Sequence, residues 1–210
     1  MADAKICGIT DFAALDAAIE GGARFVGFVT YPKSPRFLSM DKLAALAKRA
    51  RRRVETVLVT VDASDPHIAA AALAAEPDWI QLHGSETPQR ATEVRPFARR
   101  GLIKAVGIGR QEDFHPLAPY VPVVDYFLFD AKAPKNGLPG GNALAFDWAL
   151  MAGAQIGRPW FLAGGLNPEN VKEAIRVSGA ELLDVSSGVE SAPGIKDPAR
   201  IAEFLAAAEV

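Results

Sequence analysis

Eight short runs rich in Val, Ile, Leu and Phe recur along this chain, one in about every 26 residues, and they constrain the fold more than any other feature. They fall at residues 5–7, 25–30, 56–61, 79–83, 102–106, 126–129, 160–163 and 182–185. A strand that is apolar on both faces must be covered on both faces, which is the habit of parallel sheet. The segments between the runs carry helix signals. Thr10 is placed to cap a helix with Phe12, Leu15 and Ile19 on one face, and Ser39 one with Leu43, Leu46 and Ala50. Asp65-Pro66, Asn167-Pro168 and Asp197-Pro198 each pair a capping residue with proline at the first helical position. Ile201, Phe204, Leu205 and Ala208 then form an apolar stripe that needs a surface to cover.

Eight β-then-α units predict an α/β fold with a closed, parallel, eight-stranded sheet: a single-domain (β/α)8 TIM barrel over residues 1–210. A doubly wound open sheet is the alternative. Its first turn would often carry a Gly-x-Gly-x-x-Gly fingerprint, whereas the first turn here reads Cys7-Gly8-Ile9-Thr10. No Pro/Gly/Ser linker divides the chain. The longest break, residues 131–143, holds glycines, lysines and prolines and reads as a mobile active-site loop rather than a boundary.

A formal net charge of -2 leaves no electrostatic footprint for nucleic acid, and Arg51-Arg52-Arg53 reads as a solvated helix end. Charges interrupt the first six residues, so no signal peptide is expected, and the Ala-dominated stretch 68–75 is too short for a membrane span. The single cysteine, Cys7, excludes an internal disulfide framework. A cytoplasmic protein without membrane or nucleic-acid partners is the expectation. Monomer and homodimer are both compatible with it.

Barrel enzymes place their chemistry at the C-terminal ends of the strands. Gly164-Gly165 follow the seventh run and Ser186-Ser187-Gly188 the eighth. Glycines let backbone N–H groups approach an anion, serines add donors, and a short helix starting near Ser187 would add its N-terminus, so this pair of loops reads as a phosphate site. Taken singly, the glycines read equally well as turns. Cys7, at the end of the first run, is either a small buried hydrophobe or a base whose thiolate is stabilised locally. Asp130 closes the apolar run Tyr126-Phe127-Leu128-Phe129. Desolvation there would raise its pKa and let it hold a proton near neutrality; otherwise it caps the loop. Arg36, stiffened by Pro32 and Pro35, is suited to grip a carboxylate with two parallel hydrogen bonds. His83 can line the pocket or serve structure, and Asp184 can bind sugar hydroxyls or orient its loop. The three histidines lack metal-ligand spacing, so neither a metal nor another cofactor is expected.

The ordered set Lys5-Ile6-Cys7-Gly8-Ile9-Thr10, the run from Gly27 to Arg36, Gln81-Leu82-His83-Gly84, Phe129-Asp130-Ala131-Lys132, Phe146-Asp147-Trp148, Ala163-Gly164-Gly165-Leu166 and the run from Asp184 to Glu190 resembles the phosphoribosylanthranilate isomerase family along nearly the whole chain. The chain departs from that pattern at Thr30, where an aromatic is common, and at Gly141-Asn142-Ala143, where a glycine-hydroxyl-glycine run is common. The resemblance implies an Amadori rearrangement of N-(5-phosphoribosyl)anthranilate to the 1-deoxyribulose phosphate in tryptophan biosynthesis. By it Cys7 is the general base and Asp130 the general acid. Arg36 binds the anthranilate carboxylate, Asp184 the ribose, and the loops at Gly164-Gly165 and Ser186-Ser187-Gly188 the phosphate. Two alternatives stay open. One is another phosphosugar barrel, either the histidine-pathway isomerase or indole-glycerol-phosphate synthase, for which Lys104 on the fifth strand is a candidate lysine. The other is a barrel that binds a phospho-ligand without catalysis.

Overall fold

The structure, a computed structural model, describes residues 2–132 and 146–209. The predicted loop 131–143, with Gly141-Asn142-Ala143, lies almost wholly outside the described residues. Eight strands close into a barrel in sequence order, every neighbouring pair parallel. They are β1 (Asp3–Cys7), β2 (Phe25–Val29), β3 (Glu55–Thr60), β4 (Trp79–Leu82), β5 (Gly101–Ile108), β6 (Tyr126–Ala131), β7 (Trp160–Leu162) and β8 (Leu182–Val185). A hairpin follows, β9 (Glu190–Ala192) and β10 (Ile195–Lys196), antiparallel to each other. All eight apolar runs of the sequence are barrel strands.

The helices are α1 (Phe12–Glu20), α2 (Met40–Ala50), α3 (Asp65–Ala75), α4 (Pro88–Val94), α5 (Val171–Ser178) and α6 (Pro198–Ala208). Ser39 caps α2 and Asp197 caps α6 as expected, and α6 buries Ile201, Phe204, Leu205 and Ala208. Other starts differ. Asp11, not Thr10, accepts the first-turn N–H of α1, at 2.8 Å from Ala14. The Thr10 hydroxyl instead donates to the Gly194 carbonyl, tying β1 to the β9–β10 hairpin. Ser64 precedes α3, and Asp65 falls in its first turn. Asn167 and Asn170 exchange backbone-to-side-chain bonds of 2.9 Å each, which holds Pro168 in a turn and delays α5 to Val171. The buried face of α1 is Ala14, Leu15 and Ala18, while Phe12 lies out under the Arg49 guanidinium. The fifth unit is completed by a 3₁₀ segment, Gln111–Tyr120, because Pro116 and Pro119 remove the donors an α-helix needs. The described part of the sixth has only the 3₁₀ turn Trp148–Met151.

The core has two parts. One lies between strands and helices. The other fills the barrel, where Phe25, Trp79, Tyr126 and Phe161 pack edge to face or tilted, with centroids 5.0–6.4 Å apart. This aromatic plug closes the lower barrel and leaves its upper interior to polar side chains.

Candidate active site

Strand alternation sends Lys5 and Cys7 of β1 to the same, inward side. Cys7 closes its strand at 8% exposure. Burial raises its thiol pKa above the ordinary value, the Lys5 charge opposes that rise, and Asp184 adds to it. Lys5 Nζ donates to Asp184 Oδ1 across the β1–β8 seam at 2.8 Å. The barrel is open enough here only because position 27 has no side chain. A Cβ on Gly27 would sit 2.9 Å from Cys7 Sγ and 3.1 Å from Lys5 Nζ.

Asp130, on β6, accepts from the Ala131 N–H at 2.8 Å. Burial, and after it the Asp184 charge, push its pKa up to about 7. His83, just past β4, stands with Nε2 at 3.8 Å from Asp130 Oδ2. Burial and then the charges of Lys5 and Lys104 lower its pKa to about 3, so the ring is neutral at working pH. Its Nδ1 lies 2.7 Å from Gln81 Nε2. With that amide as donor, the ring proton is on Nε2, toward Asp130.

The Gly164-Gly165 and Ser186-Ser187-Gly188 loops meet. Gly188 lies against the seventh loop so closely that a Cβ there would be 1.9 Å from the Leu166 carbonyl oxygen. Gly164 and Gly165 both have positive φ, and a 3₁₀ turn begins at Ser187. The backbone N–H groups of Gly164, Gly165, Ser187 and Gly188 have no acceptor among the described residues. Unpaired N–H groups on two touching loops are what an anion requires.

Arg36 lies in the loop after β2. Its Nε and Nη2 donate to Glu190 of β9 at 2.7 and 2.8 Å. Lys196 of β10 holds the same carboxylate at 2.6 Å and reaches the Ser186 carbonyl at 3.0 Å. Burial would raise the Glu190 pKa, but Arg36 and Lys196 more than offset it and hold the carboxylate charged. Arg36 is thus gripped along one edge. Its Nη1 carries no hydrogen bond among the described residues, so the Nη1/Nη2 edge is left to take a carboxylate.

Apart from Lys104, the candidate site residues read from the sequence therefore stand at the C-terminal ends of the strands or in the loops beyond them. Sequence reasoning assigned no part to Lys5, Gln81, Glu190 or Lys196. Lys5 and Gln81 could have been found from strand alternation, which points both inward. Lys104, the candidate synthase lysine, faces away from this site. Its ammonium donates to the Leu82 and Gly84 carbonyls and to Glu86, at 3.3, 2.7 and 2.9 Å. No group of three or more His, Cys, Asp or Glu side chains is disposed to hold a metal among the described residues.

The chain matches the family described as N-(5'phosphoribosyl)anthranilate (PRA) isomerase over residues 4–207. It is 53% identical over 207 residues to an N-(5'-phosphoribosyl)anthranilate isomerase of Paracoccus denitrificans, covering 97% of this chain and 95% of that relative. It resembles the crystal structure of phosphoribosyl anthranilate isomerase from Thermotoga maritima with a TM-score of 0.88 and 36% identity, over 100% of this chain and 99% of that one. A structure of phosphoribosyl anthranilate isomerase in complex with reduced 1-(o-carboxyphenylamino)-1-deoxyribulose 5-phosphate aligns with a TM-score of 0.84 and 34% identity, over 100% and 99% of the two chains.

Proposed function

The chain belongs to the N-(5'-phosphoribosyl)anthranilate isomerase family, and from that membership we propose how its barrel mouth performs the reaction. The protein is an isomerase that converts N-(5-phosphoribosyl)anthranilate to 1-(2-carboxyphenylamino)-1-deoxyribulose 5-phosphate in tryptophan biosynthesis. Asp130 is the general acid and Cys7 the general base. The observation that carries this reading is a carboxyl whose pKa reaches about 7, bordering the same Lys5–Asp184 pair as a buried thiol.

The substrate spans the mouth. Its phosphate takes the unpaired N–H groups of the Gly164-Gly165 and Ser187-Gly188 loops, with Ser186 beside them. Its carboxylate takes the open edge of Arg36. Asp184 and His83 face the ribose. Asp130 gives its proton to the furanose ring oxygen, the C1–O bond breaks, and the anthranilate nitrogen becomes an iminium. The Cys7 thiolate then removes the C2 proton. The electrons move into the C1–C2 bond, the iminium is neutralised, and the enolamine tautomerises to the ketone. Exchange with solvent returns a proton to Asp130 and takes one from Cys7. One acid and one base suffice, with the iminium as electron sink.

Every residue of this scheme belongs to the one barrel, so a single domain carries the whole reaction. Cys7 is free, and a reducing cytoplasm suits a base that must stay so. No described helix is long and apolar enough to cross a membrane. The test is the decay of anthranilate-type fluorescence when purified protein meets freshly generated phosphoribosylanthranilate, with Cys7→Ala alongside. Rapid decay with the parent protein and not with the variant is expected. No decay with folded parent protein would sink the isomerase reading.

A further inference from the structure

Lys5 has no part in the acid–base scheme, yet it is fully buried inside the barrel. An ammonium withdrawn from water is costly unless its charge is answered, and a barrel interior needing only bulk is filled as well by methionine or leucine. One answer is Asp184, 2.8 Å away. The other direction is set by Gly27, whose missing side chain leaves Lys5 Nζ and Cys7 Sγ each about 3 Å from one point. The ammonium and the sulfur thus border the same space.

The charges facing Cys7 come from three elements: Lys5 of β1, Asp184 of β8 and Lys196 of β10. Across the mouth stand His83 beyond β4 and Asp130 of β6, and Arg36 lies over Gly8. Lys196 is fastened to Glu190 and the Ser186 carbonyl, and Arg36 to Glu190. Asp184 opposes a negative sulfur. Lys5 and Lys196 both have fully buried side chains, and Lys5 is the one whose ammonium borders the same space as the sulfur.

We propose that Lys5 is a positioning residue of the isomerase reaction, its ammonium supplying the countercharge for the Cys7 thiolate while Asp184 fixes where that ammonium sits. This rests on Cys7 being the base. It explains why a buried thiol can ionise beside a buried carboxylate, and why position 27 must lack a side chain.

Cys7 is the sole cysteine of the sequence, so alkylation by iodoacetamide reports on it alone. The rate is measured from pH 6 to 11 in the full-length protein, Lys5→Met and Lys5→Arg. In Lys5→Met the midpoint moves up by about one to three pH units, and kcat falls at least about tenfold with KM changed far less. Lys5→Arg keeps the charge and stays near the parent midpoint. An unchanged midpoint in folded Lys5→Met overturns the proposal. If that variant does not fold, Lys5→Gln, which retains a donor for Asp184, carries the same test with the same expected direction. Alkylation needs no substrate, which separates the two readings. An unmoved thiol beside normal isomerase activity defeats the role of Lys5 alone. A moved thiol in a parent protein without turnover defeats the isomerase reading and leaves the Lys5–Cys7 coupling standing.

Discussion

Arg51 at the floor of the barrel and Arg36 at its mouth each hold a glutamate, at 2.8 and 2.7 Å. The shortest distances are alike, but Arg36 makes two bonds where Arg51 makes one, and the surroundings differ. The side chains of Arg51 and Glu76 are 45% and 55% exposed, those of Arg36 and Glu190 10% and 4%. The floor has a cavity of about 470 Å³ ringed by arginines and their acids, Arg100 bonding Glu55 at 2.9 Å and Arg99 facing Asp78 at 3.8 Å. Helices that return beside parallel strands bring their C-terminal carbonyls to this end, and arginines there complement them. Charge at the floor is solvated and interacts weakly. Charge at the mouth is desolvated, so a neighbour moves a pKa by units and a lost partner is felt. A large polar cavity is therefore a poorer mark of a site than a small group of buried charges.

The comparison breaks first at the acid and base. Cys7→Ala or Asp130→Asn should lower kcat by on the order of 10²-fold or more with KM much less affected, read by the fluorescence assay; near-normal turnover refutes the assignment. The pH profile sharpens it. The Asp130 pKa of about 7 lies below that of the Cys7 thiol, which burial raises. The active form needs the first protonated and the second ionised. Activity should thus climb with pH to about 7 as thiolate forms. It should then stay level while loss of the Asp130 proton offsets further thiolate, and fall only above the thiol pKa. In Asp130→Asn the break near pH 7 should vanish and the residual rate keep climbing. A break retained there belongs to some other group.

Next in size is the grip on Arg36. Glu190→Gln leaves Arg36 and Lys196 facing a neutral amide in a buried place. It should raise KM about tenfold or more, with a smaller change in kcat, and cost about 2–4 kcal/mol in urea unfolding. An unchanged KM would mean that Glu190 does not aim Arg36 at substrate.

Asp130 also makes a stability prediction. Its folded pKa of about 7 lies above the ordinary carboxyl value of 3.8. Below about pH 4 the carboxyl is protonated in both states and adds no pH dependence. Between about 4 and 7 only the unfolded state ionises, so stability falls as pH rises, and above 7 the loss is complete. Asp130→Asn, neutral throughout, should unfold at about 1–4 kcal/mol higher free energy at pH 8, with the gain fading toward pH 4. A gain independent of pH would place the effect outside this carboxyl.

Periodicity made the barrel legible, because strands buried on both faces stand out as continuous apolar runs. It blurred where local side-chain competition decides, as when Asp11 outcompetes Thr10 for the first turn of α1, or where Pro116 and Pro119 turn an expected helix into a 3₁₀ segment. Among site residues, Cys7, Asp130, the glycines and the serines were visible because strand ends and loops advertise them. Glu190 and Lys196 were not. Their meaning depends on a hairpin folding back so that residue 190 meets residue 36, a contact between positions 154 apart. Lys5 is passed over because a lysine in a short strand reads as a solvated end, although its alternation with Cys7 points it inward.

The smallest effect tests the floor. Glu76→Gln removes the partner of Arg51 where both side chains are about half exposed. It should change stability by about 1 kcal/mol or less, an amount that shrinks further in high salt, and leave kcat and KM unchanged. The same substitution at Glu190 and at Glu76 then contrasts a buried carboxylate shared by two cations with an exposed one holding a single arginine. If Glu76→Gln lowered kcat tenfold, the floor would be coupled to the mouth through the strands between them. The distinction between solvated and desolvated charge would no longer separate scaffold from site.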